Sequence, residues 1–286
     1  MIMTADEITT EILKSKKYSG IEKNVIERIS SETIQKYTGK KDVVKAVKKE
    51  LHIIHESFLS ESCLTKAESL IDNYKGENVN TDRDFAVQLM ALHASTRERL
   101  PEADEIYALL GEYIRAEDCV IDIGCGFNPF ALPFYSVFPK KYYAFDICLN
   151  AKRLLEKYFM LINRSCETDY SAEIFDAAAQ MPLVFSQGQT ALSAGTGENG
   201  KNTLFMFKLM PLLERQKKGH GFRIMENPSF KKIIVSFPTK SAGGREKGME
   251  AFYSSFFESK LPTELVIAEK AVFKNEMFYI VTRGGL

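Results

Sequence analysis

A chain of 286 residues with 45% apolar content can bury an ordinary core, as one large domain or two modest ones. Lys and Arg total 38 against 38 for Asp and Glu, which excludes a uniformly basic or acidic protein, and no apolar run reaches the length of about 18 residues that a membrane helix needs. The five cysteines form no CxxC pair and the first residues carry acids rather than an apolar leader, so no disulfide framework, signal peptide or membrane association is expected, and the location expected is cytoplasmic.

Residues 5–73 read as helical. Ile8, Ile12 and Leu13 begin one apolar face, and Val25, Ile26 and Ile29 occupy another. Val43, Val44 and Val47, continued by Leu51, Ile54 and Phe58, form a third. Charge is uneven here: between Lys14 and Lys49 eleven Lys or Arg stand against four Asp or Glu. Lys40, Lys41, Lys45, Lys48 and Lys49 surround the third apolar stripe, with Lys14, Lys16 and Lys17 upstream. Such a region suits phosphate neutralisation by a nucleic-acid-binding surface, with a solvated helical face as the plainer alternative. His52 and His55 could share a helix face, but two imidazoles with Glu56 as the nearest acid do not make a metal site, and no metal is expected. A polar stretch at 78–81 precedes further helical patterns at about 82–92 and 102–114. The expected division is therefore a helical domain over 1–78 and a second domain, with leading helices, over 79–286.

From Cys119 the pattern changes to short strands alternating with helices. Strands are expected at 119–123, 142–146, 171–175, 203–209 and 231–236. Two further runs, 265–273 and 276–282, are separated by Lys274-Asn275 and read as an antiparallel hairpin on a mostly parallel sheet. The glycine-containing interval 187–202 lacks periodicity and reads as a long loop.

The first strand runs into Asp122-Ile123-Gly124-Cys125-Gly126, and Asp146 ends the second strand 20 residues beyond Gly126. Glycines allow a tight turn and close approach to a ligand, and a carboxylate on the next strand can accept ribose hydroxyls. A nucleoside-type cofactor follows. Five strands followed by a hairpin is the class I methyltransferase order, whereas a dinucleotide fold requires a second mononucleotide half. The expected fold is thus α/β: a class I S-adenosylmethionine-dependent methyltransferase, Rossmann-like, with a seven-stranded, mostly parallel sheet and a C-terminal antiparallel hairpin, preceded by a helical domain. Asp122 either orients the turn or meets the positively charged methionine portion of that cofactor.

The segment His93-Ala94-Ser95-Thr96-Arg97-Glu98-Arg99-Leu100-Pro101, with Asp122-Ile123-Gly124-Cys125-Gly126-Phe127-Asn128-Pro129, resembles the 16S ribosomal RNA guanine-N7 methyltransferases that confer aminoglycoside resistance by modifying guanine 1405. Phe207-Lys208-Leu209-Met210-Pro211-Leu212-Leu213-Glu214-Arg215-Gln216, Val235-Ser236-Phe237-Pro238-Thr239-Lys240-Ser241 and Asn275-Glu276-Met277-Phe278-Tyr279-Ile280-Val281 agree, in the expected order. The resemblance implies that S-adenosylmethionine is the cofactor, that the 30S subunit and its 16S rRNA decoding region are the partners, and that the N-terminal lysines dock on RNA. The protein is expected to act as a monomer. Other readings are methylation of a different RNA nucleotide, a small-molecule methyltransferase, and a catalytically silent ribosome-binding protein.

What the resemblance implies for individual residues can be set beside plainer structural roles. His93, Ala94 and Ser95 match a segment that approaches the cofactor, and His93 is alternatively a structural histidine at a helix end. Arg99 matches an arginine that meets the methionine carboxylate. Gly124 lies against the cofactor, and Asp146 accepts the ribose hydroxyls. Asp176 matches an acid near the adenine amino group, or caps a helix; Gln216 matches a pocket residue, or lies on a helix surface. Arg97 contacts substrate phosphate, or forms a surface ion pair. Phe127 or Phe237 stacks on the target base, or packs in the core. Cys125 is a small turn residue without a nucleophilic role. No residue is assigned general-base chemistry, because guanine N7 carries a lone pair and no proton. The region 183–202 departs from the family pattern and either alters access of the base or is a simple insertion.

Overall fold

The computed structural model describes residues 4–56, 60–165, 168–180, 202–240 and 248–284. Phe58, nearly all of the glycine-containing interval and the side chains of His55 and Glu56 lie outside the described residues.

Three helices open the chain: α1 (Ala5–Leu13), α2 (Lys23–Ile34) and α3 (Lys40–Leu51). Thr4 starts the first with a capping box, its Oγ accepting from the Glu7 N–H while the Glu7 carboxylate accepts from the Thr4 N–H. The apolar stripes close on one another. Ile8, Ile12, Val25, Ile26, Ile29, Val43, Val47 and Leu51 form one buried cluster with Tyr18, Ile21 and Ile54. Lys41, Lys45, Lys48 and Lys49 fall on a different sector of α3 from its buried valines, as a 3.6-residue period dictates.

α4 (Glu61–Asp72), capped by Ser60, buries Ala67 and Ile71 in a different cluster, together with α5 (Arg83–Met90), α7 (Ala103–Glu112) and one face of the sheet. The change of hydrophobic core therefore falls between α3 and α4, ahead of the polar stretch at 78–81 where composition placed it. Polarity marks the exposed turn, while Ala67 and Ile71 decide which core α4 joins. α6 (Ala94–Arg99) sits between α5 and α7.

The sheet contains β1 (Cys119–Ile123), β2 (Lys141–Asp146), β3 (Asp169–Ile174), β4 (Asn202–Phe207), β5 (Phe230–Pro238), β6 (Leu265–Val272) and β7 (Glu276–Arg283), in the order β3-β2-β1-β4-β5-β7-β6. The first five are parallel, and β7 enters antiparallel between β5 and β6. Each expected strand is present, with ends within about two residues. Along β4 and β7 the residues alternate between two cores: Phe205, Phe278 and Ile280 join one, and Leu204, Met206, Tyr279 and Val281 the other. That two-residue period, with both faces covered, explains the uninterrupted apolar runs of the central strands. The flanking helices are α8 (Leu149–Ser165), α9 (Met210–Gln216), α10 (His220–Met225) and α11 (Met249–Glu258). Among the described residues, no helix is long and apolar enough to cross a membrane.

Two features place the functional site. The strand order reverses between β1 and β4, which opens a crevice at the carboxyl ends of the parallel strands. The helical cluster is fastened beside that crevice: the Glu22 N–H donates to the Ile147 carbonyl at 3.0 Å, and the Leu149 N–H to the Gly20 carbonyl at 2.7 Å.

Candidate functional site

A cleft of about 920 Å³, open mouth included, lies at this switch point. Its floor is the turn after β1, where the Gly124 and Cys125 N–H groups both donate to the Phe145 carbonyl, at 2.8 and 3.0 Å. Gly124 and Gly126 take φ of 67° and 49°, and a Cβ at Gly126 would stand 3.2 Å from the His93 Nε2. Glycine is therefore required twice, by backbone conformation and by the space beside His93. The Cys125 thiol is buried, and burial pushes its pKa well up, which leaves it without nucleophilic character.

Asp146 closes one side. Its Oδ2 accepts from the Gly126 N–H and its Oδ1 from the Cys148 N–H, both at 3.0 Å. Each oxygen keeps acceptor capacity, and the side chain lines the cleft. Asp122 does something different. It is wholly buried beneath the turn and does not line the cleft; its Oδ2 accepts from Tyr142 Oη at 2.6 Å and Asn128 Nδ2 at 2.8 Å. Of the two roles open to it in the sequence, this is the one that orients the turn. Burial raises its pKa to about 6, against the lowering effect of its hydrogen bonds to Asn128 and Tyr142.

His93 caps α6, its Nδ1 accepting from the Ser95 N–H at 3.2 Å, and its ring centroid lies 5.3 Å from that of Phe127. A neutral ring in this arrangement carries its proton on Nε2, on the side of Gly126. His93 and Ser95 line the cleft, whereas Ala94 lies between them in the chain without lining it. Arg99 is 2% exposed, and Glu276, at 1%, holds it through Nε and Nη2 at 2.8 Å each; Nη1 donates to Asn128 Oδ1 at 3.0 Å. Its side-on edge is thus taken by a protein carboxylate, and only the remaining N–H groups are left for any ligand carboxylate. Burial favours loss of the Arg99 proton, but Glu276 together with Tyr107 more than offsets it and the guanidinium stays charged. Burial likewise favours protonation of Glu276, and Arg99 with Lys208 outweighs it, lowering the carboxyl pKa.

The opposite end of the cleft holds Asp176 and Gln216, brought together by a residue with no sequence signal. Arg28, on α2, donates to Asp176 through Nε at 2.8 Å and Nη2 at 3.1 Å, and to Gln216 Oε1 through Nη2 at 2.9 Å. Asp176 also accepts from the Ala178 N–H at 3.0 Å, so it stabilises its own turn while lining the cleft. Val25 and Ile54 of the helical cluster line the cleft as well. Lys208 belongs to the segment 207–216 and had no assigned role in the sequence. It follows β4 at φ 54°, with Nζ 2.6 Å from Glu98 and 3.3 Å from Glu276, and it lines the cleft.

The remaining expected residues lie elsewhere. Lys14, Lys16, Lys17, Lys40, Lys41, Lys45 and Lys49 are exposed and Lys48 half-buried, outside the cleft, and Lys14 pairs with Glu11 at 2.8 Å. Arg97 is exposed and its Nη1 reaches the Ala91 carbonyl at 3.5 Å. Phe237 is a core residue, enclosed by Tyr253, Phe256, Phe257 and Tyr279; Phe127 is buried but borders the cleft.

The strand order, the glycine turn with left-handed φ, and a carboxylate on β2 that retains acceptor capacity define a class I methyltransferase, and its cleft fits S-adenosylmethionine: an acceptor for ribose, an acid and an amide at the far end, a cationic guanidinium near the turn. The chain belongs to the ribosomal RNA methyltransferase (FmrO) family, which matches residues 14–280. It is 30% identical to the 16S rRNA (guanine(1405)-N(7))-methyltransferase of Proteus mirabilis, over 97% of each chain. Identity to the enzyme of the same name from Serratia marcescens is also 30%, covering 99% of this chain and 100% of the relative. The crystal structure of the 16S rRNA methyltransferase RmtF in complex with S-adenosyl-L-homocysteine superposes with a TM-score of 0.81, at 27% identity and 99% coverage of both chains.

Two buried carboxylates should influence stability with opposite sign. Asp122 has its usual value of 3.8 raised to about 6, so the folded protein retains a proton that the unfolded chain releases, and stability falls as pH rises across that interval. Asp122→Asn should remove this slope, shifting the difference from wild type by roughly 2–3 kcal/mol between pH 4 and 7; parallel urea-denaturation profiles would refute it. Glu276 is depressed, so its contribution is complete above its unfolded value and is lost as pH falls through the folded one. Glu276→Gln should cost about 3–5 kcal/mol at neutral pH, by stranding Arg99, with the gap narrowing in acid; a pH-independent gap would refute the ion-pair account.

Proposed function

We propose that the protein transfers a methyl group from S-adenosylmethionine to N7 of guanine 1405 of 16S rRNA in the assembled 30S subunit, in the cytoplasm and as a monomer, and that this modification confers aminoglycoside resistance. The observation that carries the reading is the cleft at the β1/β4 switch point, in a chain aligned along nearly all its length with methyltransferases named for that nucleotide. The added methyl group and positive charge would oppose cationic drugs that occupy the same groove.

When bound, S-adenosylmethionine supplies a methyl group activated by an adjacent sulfonium. The chain's own part is to orient and enclose. Asp146 accepts the ribose hydroxyls through lone pairs not used by Gly126 and Cys148. Gly124 allows close backbone approach, and the segment from His93 through Ala94 to Ser95 closes one wall. The N–H groups of Arg99 not held by Glu276 or Asn128 face the methionine carboxylate, and Asp176 with Gln216 meets the nucleobase. Guanine N7 offers its lone pair directly, so no side chain has to remove a proton, and alignment supplies the catalysis. The lysines at 14, 16, 17, 40, 41, 45, 48 and 49, with Arg97, engage RNA phosphates and select the folded subunit by shape and charge.

Labelled methyl transfer to intact 30S subunits, followed by mapping of the modified base, tests this. N7-methylguanine at 1405 is expected; modification elsewhere would reject the target, and no transfer despite cofactor binding would reject the activity. Asp146→Ala should weaken S-adenosylhomocysteine binding by roughly tenfold or more in calorimetry, since a charge-assisted hydrogen bond is worth about 1.5–3 kcal/mol. Unchanged affinity would remove Asp146 from the cofactor site.

A further inference from the structure

Among the described residues, the guanidinium of Arg28 is the one strongly charged group that the helical cluster places at the cleft's far wall, and its partners constrain the chemistry there. Arg28 is 17% exposed at its side chain and sits on α2, whose neighbouring residues Val25, Ile26 and Ile29 are buried. Its backbone is therefore held firmly. Beyond its bonds to Asp176 and Gln216, Nη1 pairs with Glu32 at 3.3 Å one turn along the helix.

A guanidinium has donors and no acceptor. Facing Gln216, it can only receive the amide oxygen, which it does through Nη2 at 2.9 Å. The amide nitrogen is then turned the other way, where one N–H meets the Leu212 carbonyl at 3.3 Å. The second N–H is committed to no other described residue by these contacts. Asp176, held by the Arg28 fork and by the Ala178 N–H, has three of its lone-pair directions engaged and keeps one on Oδ2. The wall thus offers an acceptor beside a donor, both on residues that line the cleft. Adenine carries the complement on one edge, an amino donor at C6 and an acceptor at N1. Hypoxanthine carries the reverse, a 6-oxo acceptor and an N1–H donor.

We propose that Arg28 is a positioning residue that sets the hydrogen-bond polarity of the nucleobase end of the cleft, fixing Gln216 as donor and Asp176 as acceptor so that a 6-aminopurine is selected over a 6-oxopurine. This rests on the reading of the cleft as an S-adenosylmethionine site. The bond from Arg28 to the amide oxygen and the bond from the amide nitrogen to Leu212 favour the same orientation, and the charge-assisted one from Arg28 is the stronger of the two. Without Arg28 the amide keeps only its neutral bond to the Leu212 carbonyl, and Asp176 loses the two donors that hold its carboxylate in place. A helix belonging to the N-terminal cluster thereby determines which nucleoside the neighbouring fold accepts.

The test is calorimetric binding of S-adenosylhomocysteine and its inosine counterpart, S-inosylhomocysteine, to the full-length protein and to Arg28→Ala and Arg28→Lys. Wild type should prefer the adenosine ligand by roughly tenfold or more, because the 6-oxo ligand leaves buried polar groups unpaired. Arg28→Ala should bring the two affinities within about threefold, and Arg28→Lys, which keeps the charge but cannot bridge both partners, should fall between. Equal loss for both ligands, or an unchanged ratio, would overturn the role of Arg28, and thermal unfolding without ligand identifies a variant whose losses come from a damaged fold. Failure of the unaltered protein to bind S-adenosylhomocysteine would instead overturn the cofactor reading itself.

Discussion

Arg99 and Glu276 are buried against each other where five segments meet, and the arrangement around the cleft follows from how that charge is satisfied. Arg99 ends α6, and Glu276 opens β7. Ser236 on β5 donates to the Glu276 carboxylate, Lys208 after β4 approaches it at 3.3 Å, and Asn128 after β1 accepts from the guanidinium. Removing two charges from water costs more than a surface pair returns, so such a cluster persists only when every member is satisfied and its geometry is fixed. Fixing it sets the positions of the β1 turn and the β4 end together, which are the two sides of the switch point. The left-handed backbone of Lys208 belongs to the same constraint: its N–H is held by the Ser236 carbonyl at 3.1 Å and hydroxyl at 2.9 Å while its Nζ is drawn to Glu98 and Glu276.

The sheet was legible because its physics is local in sequence. Apolar runs of strand length, punctuated by glycine and by Lys274-Asn275, locate β1 through β7, and the hairpin order separates this topology from a dinucleotide fold. The boundary of the helical cluster was less legible, since α4 carries the same amphipathic pattern as the helices before it. Only its partner distinguishes it, and a periodicity does not name a partner. Ala67 and Ile71 pack toward α5, α7 and the sheet, so α4 belongs to their core.

Within the site, residues attached to backbone geometry could be read and residues that reach across the fold could not. Gly124, Gly126 and Asp146 follow from the turn and the strand end. Asp122 looked equally able to meet a ligand or to hold the turn, and Tyr142, 20 residues away, decides the matter by donating to it from beneath. Arg99 was marked by resemblance as a carboxylate partner, but Glu276, 177 residues downstream, takes one of its edges. Arg28 gave no signal at all: on α2 it is one basic residue among several, distinguished only by the 148 residues of chain that fold Asp176 back beside it.

The absence of a proton to remove changes what the fold has to provide. An enzyme that needs a general base can tolerate slack elsewhere if one pKa is tuned, but attack by a neutral ring nitrogen on a methyl group depends on the alignment of three atoms, and alignment degrades with any freedom in the cofactor. Rigid walls therefore matter more than reactive side chains, and the walls here are unusual in having two sources. The Rossmann-like part supplies the glycine turn and Asp146. The helical part supplies Arg28, Val25 and Ile54, and it is tied by backbone bonds to residues 147–149, directly after Asp146. In the proposed function that same helical part carries the lysines that meet RNA. Both ends of the cleft thus rest on the helical part, through Arg28 at Asp176 and through the backbone bonds to residues 147 and 149 beside Asp146.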